Sequence, residues 1–189
     1  MFSVIRADFI GATASWLPHR HADAPSHSGG DRVTVRSTIS GTIGAIKGDT
    51  PVLTLGVFAA IFDDSGRILC VRMNYATRAW TTPGGRVEPG ESPLAALKRE
   101  VLEEAGLDVM ADGLVGVYSK PRKDDLVLFL RAHVLGQTPW QPSAEISQIG
   151  YFGRDELPEP MGLGARTRIL DALDGAVGVV RVIPESQAQ

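Results

Sequence analysis

A glycine-rich loop runs directly into an acidic helix in residues 80–107, WTTPGGRVEPGESPLAALKREVLEEAGL, and this stretch limits the fold of the chain more than any other. Ser92 is a good N-cap residue, Pro93 suits the first helical position, and Gly106 stands where a left-handed C-terminal cap is favoured. The pattern therefore predicts one helix over residues 92–105, preceded by a loop whose glycines let the backbone approach a ligand closely.

The predicted helix has two chemically different sides. Glu100, Glu103 and Glu104 share one side, because residues three and four apart are neighbours on a helix. A separate apolar stripe is expected to be buried: Leu94, Leu97, Val101 and Ala105. Three carboxylates at this spacing repel one another, and oxygen ligands suit Mg²⁺ or Mn²⁺, so the patch indicates a divalent cation. For the helix alone, a solvated acidic face explains the pattern equally well.

The complete string from Gly85 to Leu107 resembles the Nudix box without a departure. It reads glycine, five residues, Glu91, seven residues, Arg-Glu-Val, one residue, Glu-Glu, one residue and Gly-Leu. This resemblance implies a Nudix hydrolase, which cleaves a nucleoside diphosphate linked to another group. It also implies an α/β fold, the Nudix-type α/β/α sandwich with a mixed β-sheet, in agreement with the strands expected on both sides of the central helix.

The resemblance also implies roles for the residues of the box. Glu103 and Glu104 are expected to be the principal metal ligands. Glu100 is expected to be either a further ligand or the base that activates water. The carbonyl oxygen of Gly84 is expected to reach the metal as well, which explains why a side chain is unwanted there.

Five other residues are expected to support this chemistry. In the family, the positions of Glu91 and Arg99 commonly form an ion pair that orients the loop on the helix, which makes this pair structural. Lys120, Arg122 and Lys123 are candidates for binding substrate phosphates, although a charged hairpin tip is usually only solvated.

A further carboxylate is expected outside the box, because hydrolysis at a diphosphate often needs another metal ligand or a base. The family commonly takes this group from a loop after the box. Asp124 and Asp125 belong to a basic hairpin, whereas Asp155 and Glu156 open a turn. Glu145, on a loop that enters a strand, is the remaining candidate catalytic residue, and the alternative is an exposed loop glutamate.

Composition argues against several other classes of protein. The net charge of −3 gives no support for binding a nucleic acid polymer or a membrane surface. The single cysteine, Cys70, lies in an apolar run and is expected in the core rather than as a nucleophile. No stretch approaches the ~20 apolar residues of a membrane span, and the basic flank of a signal peptide is weak, so the chain is expected to be cytoplasmic.

The pattern along the chain predicts four regions. Residues 1–31 are expected to be a mobile N-terminal extension, and residues 32–50 an extra strand or hairpin that could serve as a homodimer contact. The catalytic domain is expected over residues 51–175, followed by an edge strand and tail over residues 176–189. Within the domain we expect a hairpin (52–62 and 67–73), strands at 113–119, 126–134 and 146–152, and a helix at 165–173.

The sequence narrows the substrate only to a small-molecule nucleotide. ADP-ribose or a nucleotide sugar is favoured, although Pro121, fourteen residues after Leu107, lies close to rather than on the position where ADP-ribose enzymes of the family carry a proline. One alternative is a nucleoside triphosphate pyrophosphohydrolase of the housecleaning type. Another is a non-catalytic nucleotide-binding regulator with the Nudix fold, against which the intact box argues.

Overall fold

The computed structural model describes residues 53–123 and 125–184. The elements are β1 (Thr54–Ile61), β2 (Ile68–Met73), β3 (Trp80–Thr81), β4 (Gly84–Arg86), α1 (Pro93–Ala105), β5 (Leu107–Lys120), β6 (Asp125–Gln137), β7 (Ile146–Phe152), α2 (Leu163–Leu173) and β8 (Val179–Val182). Short 3-10 turns lie at Pro121–Lys123 and Arg154–Glu156. The predicted extension over 1–31 and the predicted strand or dimer contact over 32–50 lie outside the described residues.

The strands form two sheets. The larger sheet has the order β4-β1-β6-β5-β8, in which β1 pairs with β6 and β5 pairs with β8 in parallel, and the other pairs are antiparallel. The smaller sheet, β3-β2-β7, is antiparallel. The prediction of an α/β fold with a mixed sheet is therefore confirmed, and the second sheet is an addition to it.

The two helices belong to two separate hydrophobic clusters. Leu97 and Val101 of α1 pack in one cluster with Val57 and Ala59 of β1, whereas Ile169 of α2 packs in the other cluster with Ala60 and Phe129. Successive residues of a strand point to opposite faces, so the adjacent positions 59 and 60 place α1 and α2 on opposite faces of β1. This arrangement gives the α/β/α sandwich.

The predicted hairpin of β1 and β2 is wrong, although the turn between them forms. The Asp63 carboxylate accepts hydrogen bonds from the backbone N–H groups of Ser65 and Arg67. The two strands then separate into different sheets and share only the bridge between Phe62 and Ile68. The reason is that β4 and β6 occupy both edges of β1, which leaves no edge for β2.

Helix α1 begins and ends as predicted, but its buried face differs from the predicted stripe. The Ser92 side chain accepts a hydrogen bond from Ala95 N at 3.2 Å, and Gly106 has a left-handed φ of 69°. Leu94 lies in the first turn and is 58% exposed, so the prediction that it is buried is wrong. Periodicity assigns a residue to a side of a helix, and whether another element covers that side depends on tertiary packing.

The strands that follow α1 extend further than predicted. β5 starts at Leu107, directly after the left-handed turn at Gly106, and shifts register against β6 at three points. Residues at such irregularities break the alternation of apolar and polar positions on which the prediction of 113–119 depended. No helix in the described ranges is long and apolar enough to cross a membrane.

Candidate active site

Glu104 is the most deeply buried of the predicted site carboxylates. Its residue is 8% exposed, and its Oε2 accepts a hydrogen bond of 2.8 Å from the backbone N–H of Gly84 in β4. The pKa of Glu104 is raised to about 8, chiefly by burial and also by the charges of Glu100, Glu145 and Glu103, against the opposing effect of the Gly84 hydrogen bond. The charges of three other carboxylates thus act on Glu104.

Glu100 lies against the backbone of the glycine-rich loop. A Cβ atom on Gly85 would stand 2.5 Å from the Glu100 carboxyl carbon, so only glycine leaves room for this carboxylate. The adjacent Gly84 has φ 141°, and a Cβ there would meet the backbone of Val57 and Phe58. The two glycines therefore let the loop lie directly between β1 and the acidic side of α1.

Arg99 connects the loop to the helix, as the box predicts. Its Nε donates to Glu91 Oε1 at 3.0 Å and its Nη2 to Glu91 Oε2 at 2.9 Å, which makes a bidentate pair. Nη2 also donates to the carbonyl oxygen of Arg86, and Nη1 donates to Glu100 Oε1 at 2.8 Å. Glu103 Oε2 lies 3.6 Å from Arg99 Nη1, and its side chain is 57% exposed.

The donor chemistry of this cluster fits a divalent cation. Carboxylate oxygens are the ligands that Mg²⁺ and Mn²⁺ prefer, and a cation would relieve the repulsion that raises the pKa of Glu104. Within residues 53–123 and 125–184, however, no three His, Cys, Asp or Glu side chains are arranged as a ligand set. Instead, Glu100 and Glu103 form ion pairs with Arg99, and Glu104 accepts a hydrogen bond from the Gly84 N–H.

Glu145 reaches the same region from the loop before β7. The Asn74 N–H donates to the carbonyl oxygen of Glu145 at 2.7 Å, which ties this loop to the end of β2. The Ser143 hydroxyl oxygen accepts from the N–H groups of Glu145 and Ile146. The Glu145 charge contributes to the raised pKa of both Glu104 and Tyr75, so the residue lies near the carboxylates of α1.

Two cavities that share lining residues lie in this region, and Glu104 lines the smaller one. The first, of about 420 Å³, is lined by Gly84, Gly85, Arg86 and Glu104, and also by Lys120 and Lys123. The second, of about 1240 Å³, has Lys120, Arg122 and Lys123 in its lining. The three basic residues predicted to bind phosphates therefore all line a cavity at this site. Lys120 is also paired with Asp125 at 3.0 Å.

Two residues of the site were missed by sequence reasoning. Tyr75 lines the smaller cavity, and its pKa is raised by partial burial and then by Glu104, Glu145 and Glu100. Arg168 lines the larger cavity and is 3% exposed. An arginine beside Ile169 on the inner side of a short amphipathic helix was an available signal for the second residue. Tyr75 sits in a polar loop and gave no such signal.

Comparison with known proteins identifies the family to which this fold belongs. The model of the NUDIX domain matches residues 52–173. A MutT-like protein from Streptomyces ambofaciens is 34% identical over 131 residues, covering 69% of this chain and 84% of that protein. The 8-oxo-dGDP phosphatase NUDT18 of Homo sapiens is 36% identical over 85 residues, covering 44% of this chain and 26% of that protein.

A solved structure supports the same assignment. The crystal structure of an ADP-ribose pyrophosphatase from Streptococcus suis 89-1591 matches with a TM-score of 0.59 and 30% identity, over 69% of this chain and 99% of that chain. The fold and the carboxylate site define an α/β/α hydrolase scaffold. The chain belongs to the Nudix family, as the box predicted, and enzymes of this family generally require a divalent metal.

Proposed function

We propose that this chain hydrolyses a phosphoanhydride bond in a nucleoside diphosphate linked to a second group, with Mg²⁺ or Mn²⁺ as cofactor. The observation that carries the proposal is the buried Glu104 carboxylate, held by the Gly84 N–H at 2.8 Å beside a cavity of about 420 Å³. Burying a carboxylate among like charges is unfavourable, and a cation bound at this point would compensate for it.

Each carboxylate has a distinct place in this proposal. Glu103 and Glu104 would be the principal ligands of the ion, together with the Gly84 carbonyl oxygen, and Glu100 would be a ligand or a base. Bound metal would neutralise charge on the diphosphate and so favour attack by water. Glu145 enters from the opposite loop and would accept the proton of the attacking water at its carboxylate.

The remaining residues would position the substrate. Arg99 holds Glu91, Glu100 and the Arg86 carbonyl oxygen together, so it keeps the loop in register with α1. Lys120 and Lys123 line the same cavity as Glu104, where their charges would attract the phosphates of a substrate. Arg122 would act at the rim of the larger cavity.

ADP-ribose or a nucleotide sugar is the first substrate class we propose. The similarity to the ADP-ribose pyrophosphatase of Streptococcus suis favours this class. A nucleoside triphosphate, oxidised or not, is the second class, favoured by the similarity to a putative 8-oxo-dGTP diphosphatase of Bacillus subtilis, which is 30% identical over 133 residues. Both classes require cleavage of a phosphoanhydride bond next to a nucleoside.

A metal-dependent screen tests the proposed function. The full chain is incubated with nucleotide sugars, dinucleotides and nucleoside triphosphates, with Mg²⁺, with Mn²⁺ or with excess EDTA. We expect hydrolysis of at least one class that EDTA abolishes, and a loss of orders of magnitude in Glu104→Gln or Glu103→Gln with the fold retained. The exposed loop variant Glu88→Gln is the matched control and should keep wild-type turnover. Wild-type rates in EDTA would contradict the proposal.

A further inference from the structure

Arg168 is a buried cation whose Nε has no hydrogen-bond partner among the described residues. Its guanidinium stacks on Phe58, with the central carbon 4.5 Å from the ring centroid, and lies 5.8 Å from that of Phe129. Burial lowers the pKa of Arg168 to about 10, so the side chain remains charged at neutral pH. A buried donor without a partner is costly, so the group calls for an explanation, and a bound ion is one that fits a cation.

The Arg168 guanidinium faces the larger cavity next to the first turn of α2. Gly162, Leu163, Gly164 and Ala165 line this cavity along with Arg168. No side chain caps the first turn of α2. The N–H groups at the start of a helix carry partial positive charge and bind anions readily.

Lys120 reaches the same point from the end of β5. A Cβ atom on Gly164 would stand 3.4 Å from Lys120 Cε and 3.7 Å from Arg168 Nη1, so both cations converge on the side of α2 where Gly164 has no side chain. Asp125 compensates part of this charge, because it pairs with Lys120 at 3.0 Å and its charge also acts on Arg168. Two cations and a helix N-terminus then face one carboxylate, which leaves the cavity positive.

The two cavities are neighbours that share part of their lining. Both are lined by Phe58, Met73, Thr81, Lys120 and Lys123. A ligand that places a diphosphate beside Glu104 can therefore extend into the space in front of Arg168. The two cavities differ in the charge that they favour. The carboxylates around Glu104 favour a metal ion, whereas the cations around Arg168 favour an anion that carries no metal.

We propose that Arg168, Lys120 and the N-terminus of α2 bind a phosphate group of the substrate other than the one beside Glu104. A phosphate presents several acceptor oxygens, which suits a planar guanidinium, a lysine ammonium and free backbone N–H groups together. Only the identification of this phosphate as part of the substrate rests on the proposed function. If so, this site favours the second substrate class proposed above, a nucleoside triphosphate, or a ligand with a further terminal phosphate, over the first class, whose members carry only a diphosphate.

Phosphate binding is measured first, on the full chain in EDTA, where the carboxylate end cannot bind phosphate through a metal. Inorganic phosphate is titrated while the amide NMR signals of residues 162–165 are followed, with chloride at equal ionic strength as the reference. We expect saturable shifts in the wild type and at least tenfold weaker binding in Arg168→Met. The matched control is Arg166→Met, which removes the same charge from the same helix but from a side chain paired with Glu159. Equal binding by the two variants overturns the proposal.

A second variant keeps the test valid if Arg168→Met fails to fold. Gly164→Ala adds a Cβ at ordinary contact distance from Lys120 and Arg168, and alanine favours a helix over glycine. We expect its melting temperature to equal or exceed that of the wild type, with at least threefold weaker phosphate binding. Undiminished phosphate binding in Gly164→Ala also overturns the proposal. An uncharged nucleoside is titrated in parallel, and if its binding alone depends on Arg168, the cavity recognises a base instead.

Kinetics separate a substrate phosphate from a free phosphate ion. Arg168→Met should raise KM at least tenfold for a nucleoside triphosphate, while KM for ADP-ribose stays within twofold. Unchanged KM for both substrates, with weakened binding of free phosphate, contradicts assignment to the substrate. If the proposed function itself is wrong, the result is different: the wild-type protein hydrolyses none of these compounds in the presence of metal.

Discussion

Glu145 lies outside the box yet its charge acts on Glu104, the carboxylate buried beneath the loop. Its backbone is fixed at both sides, by Asn74 at the end of β2 and by the Ser143 hydroxyl. The side chain itself is exposed. A fixed backbone with a free carboxylate suits a group that has to meet a substrate rather than stabilise the fold.

We therefore predict that Glu145→Gln lowers turnover at least tenfold, about 1.4 kcal/mol of activation free energy, with little change in melting temperature. Turnover at saturating metal and substrate is the measurement, with thermal denaturation beside it. Asp155→Asn, which alters an exposed carboxylate beyond β7, is the matched control. Wild-type turnover in Glu145→Gln would show that Glu145 is an exposed loop residue without a catalytic role. Glu100 would then be the proposed base.

The two glycines of β4 are expected to respond differently to alanine. At Gly84 the new Cβ would stand 2.5 Å from Phe58 Cα at a φ of 141°, and the neighbouring backbone cannot yield without moving β1. At Gly85 the Cβ would meet only the Glu100 carboxylate, at the end of a flexible side chain. The first change thus strains the fold, and the second displaces a proposed site residue.

Gly84→Ala should lower the free energy of unfolding by about 1–3 kcal/mol or prevent folding. Gly85→Ala should leave that free energy within about 1 kcal/mol of the wild type but reduce turnover severalfold, because Glu100 has to move. Urea denaturation and steady-state kinetics on both variants check this contrast. Full activity in Gly85→Ala would show that the contact between Glu100 and this glycine is not needed.

At the level of elements, α2 and β8 are joined to β5 through one polar cluster. The Tyr118 hydroxyl donates to Asp171 Oδ2 at 2.9 Å in the buried interior, and Arg181 of β8 donates to both oxygens of the same carboxylate. The Arg181 hydrogen bonds, with that of Tyr118, hold the pKa of Asp171 below its ordinary value against the opposing effect of burial.

The stability contributed by this cluster should depend on pH. Because the folded pKa of Asp171 is depressed, its contribution is complete above the ordinary aspartate pKa and is lost as pH falls below that value through the folded pKa. Asp171→Asn should therefore lower the urea midpoint more at pH 7 than at pH 3. Asp174→Asn, an exposed carboxylate at the end of α2, is the comparison. A midpoint difference that is equal at both pH values would contradict the prediction.

At the scale of the whole molecule, the described elements contain two hydrophobic clusters, both cavities and the four site carboxylates within residues 53–184. The sequence predicts residues 1–31 to be an extension of this domain. We expect a variant that lacks residues 1–31 to retain a cooperative melt and metal-dependent hydrolysis within twofold of the full chain. Loss of solubility or activity would instead make the extension a structural or dimer-forming element.

Local signals in the sequence were sufficient for α1, its caps and the order of carboxylates along it. Ser92, Pro93 and Gly106 act on the backbone within one turn of their own position, so their effect can be predicted without knowledge of the tertiary structure. The strands β6 and β7 and the helix α2 followed from periodicity in the same way: β7 has the predicted ends, and β6 and α2 extend a few residues beyond theirs. The spacing of the box was likewise enough to identify the family.

Tertiary structure alone decided which strands are neighbours and which polar groups are buried. The partner of β1 is β6, far along the chain, and not the adjacent β2, because strand pairing depends on which edges remain free. Glu103 and Glu104 are adjacent on α1, yet only Glu104 of the two is buried, where its carboxylate meets the Gly84 N–H of β4. Arg168 became a candidate site residue because β1, β5 and β6 surround it with Phe58, Lys120 and Phe129. Strand pairing and the burial of these polar groups arise from contacts between distant segments, which a pattern within one segment does not fix.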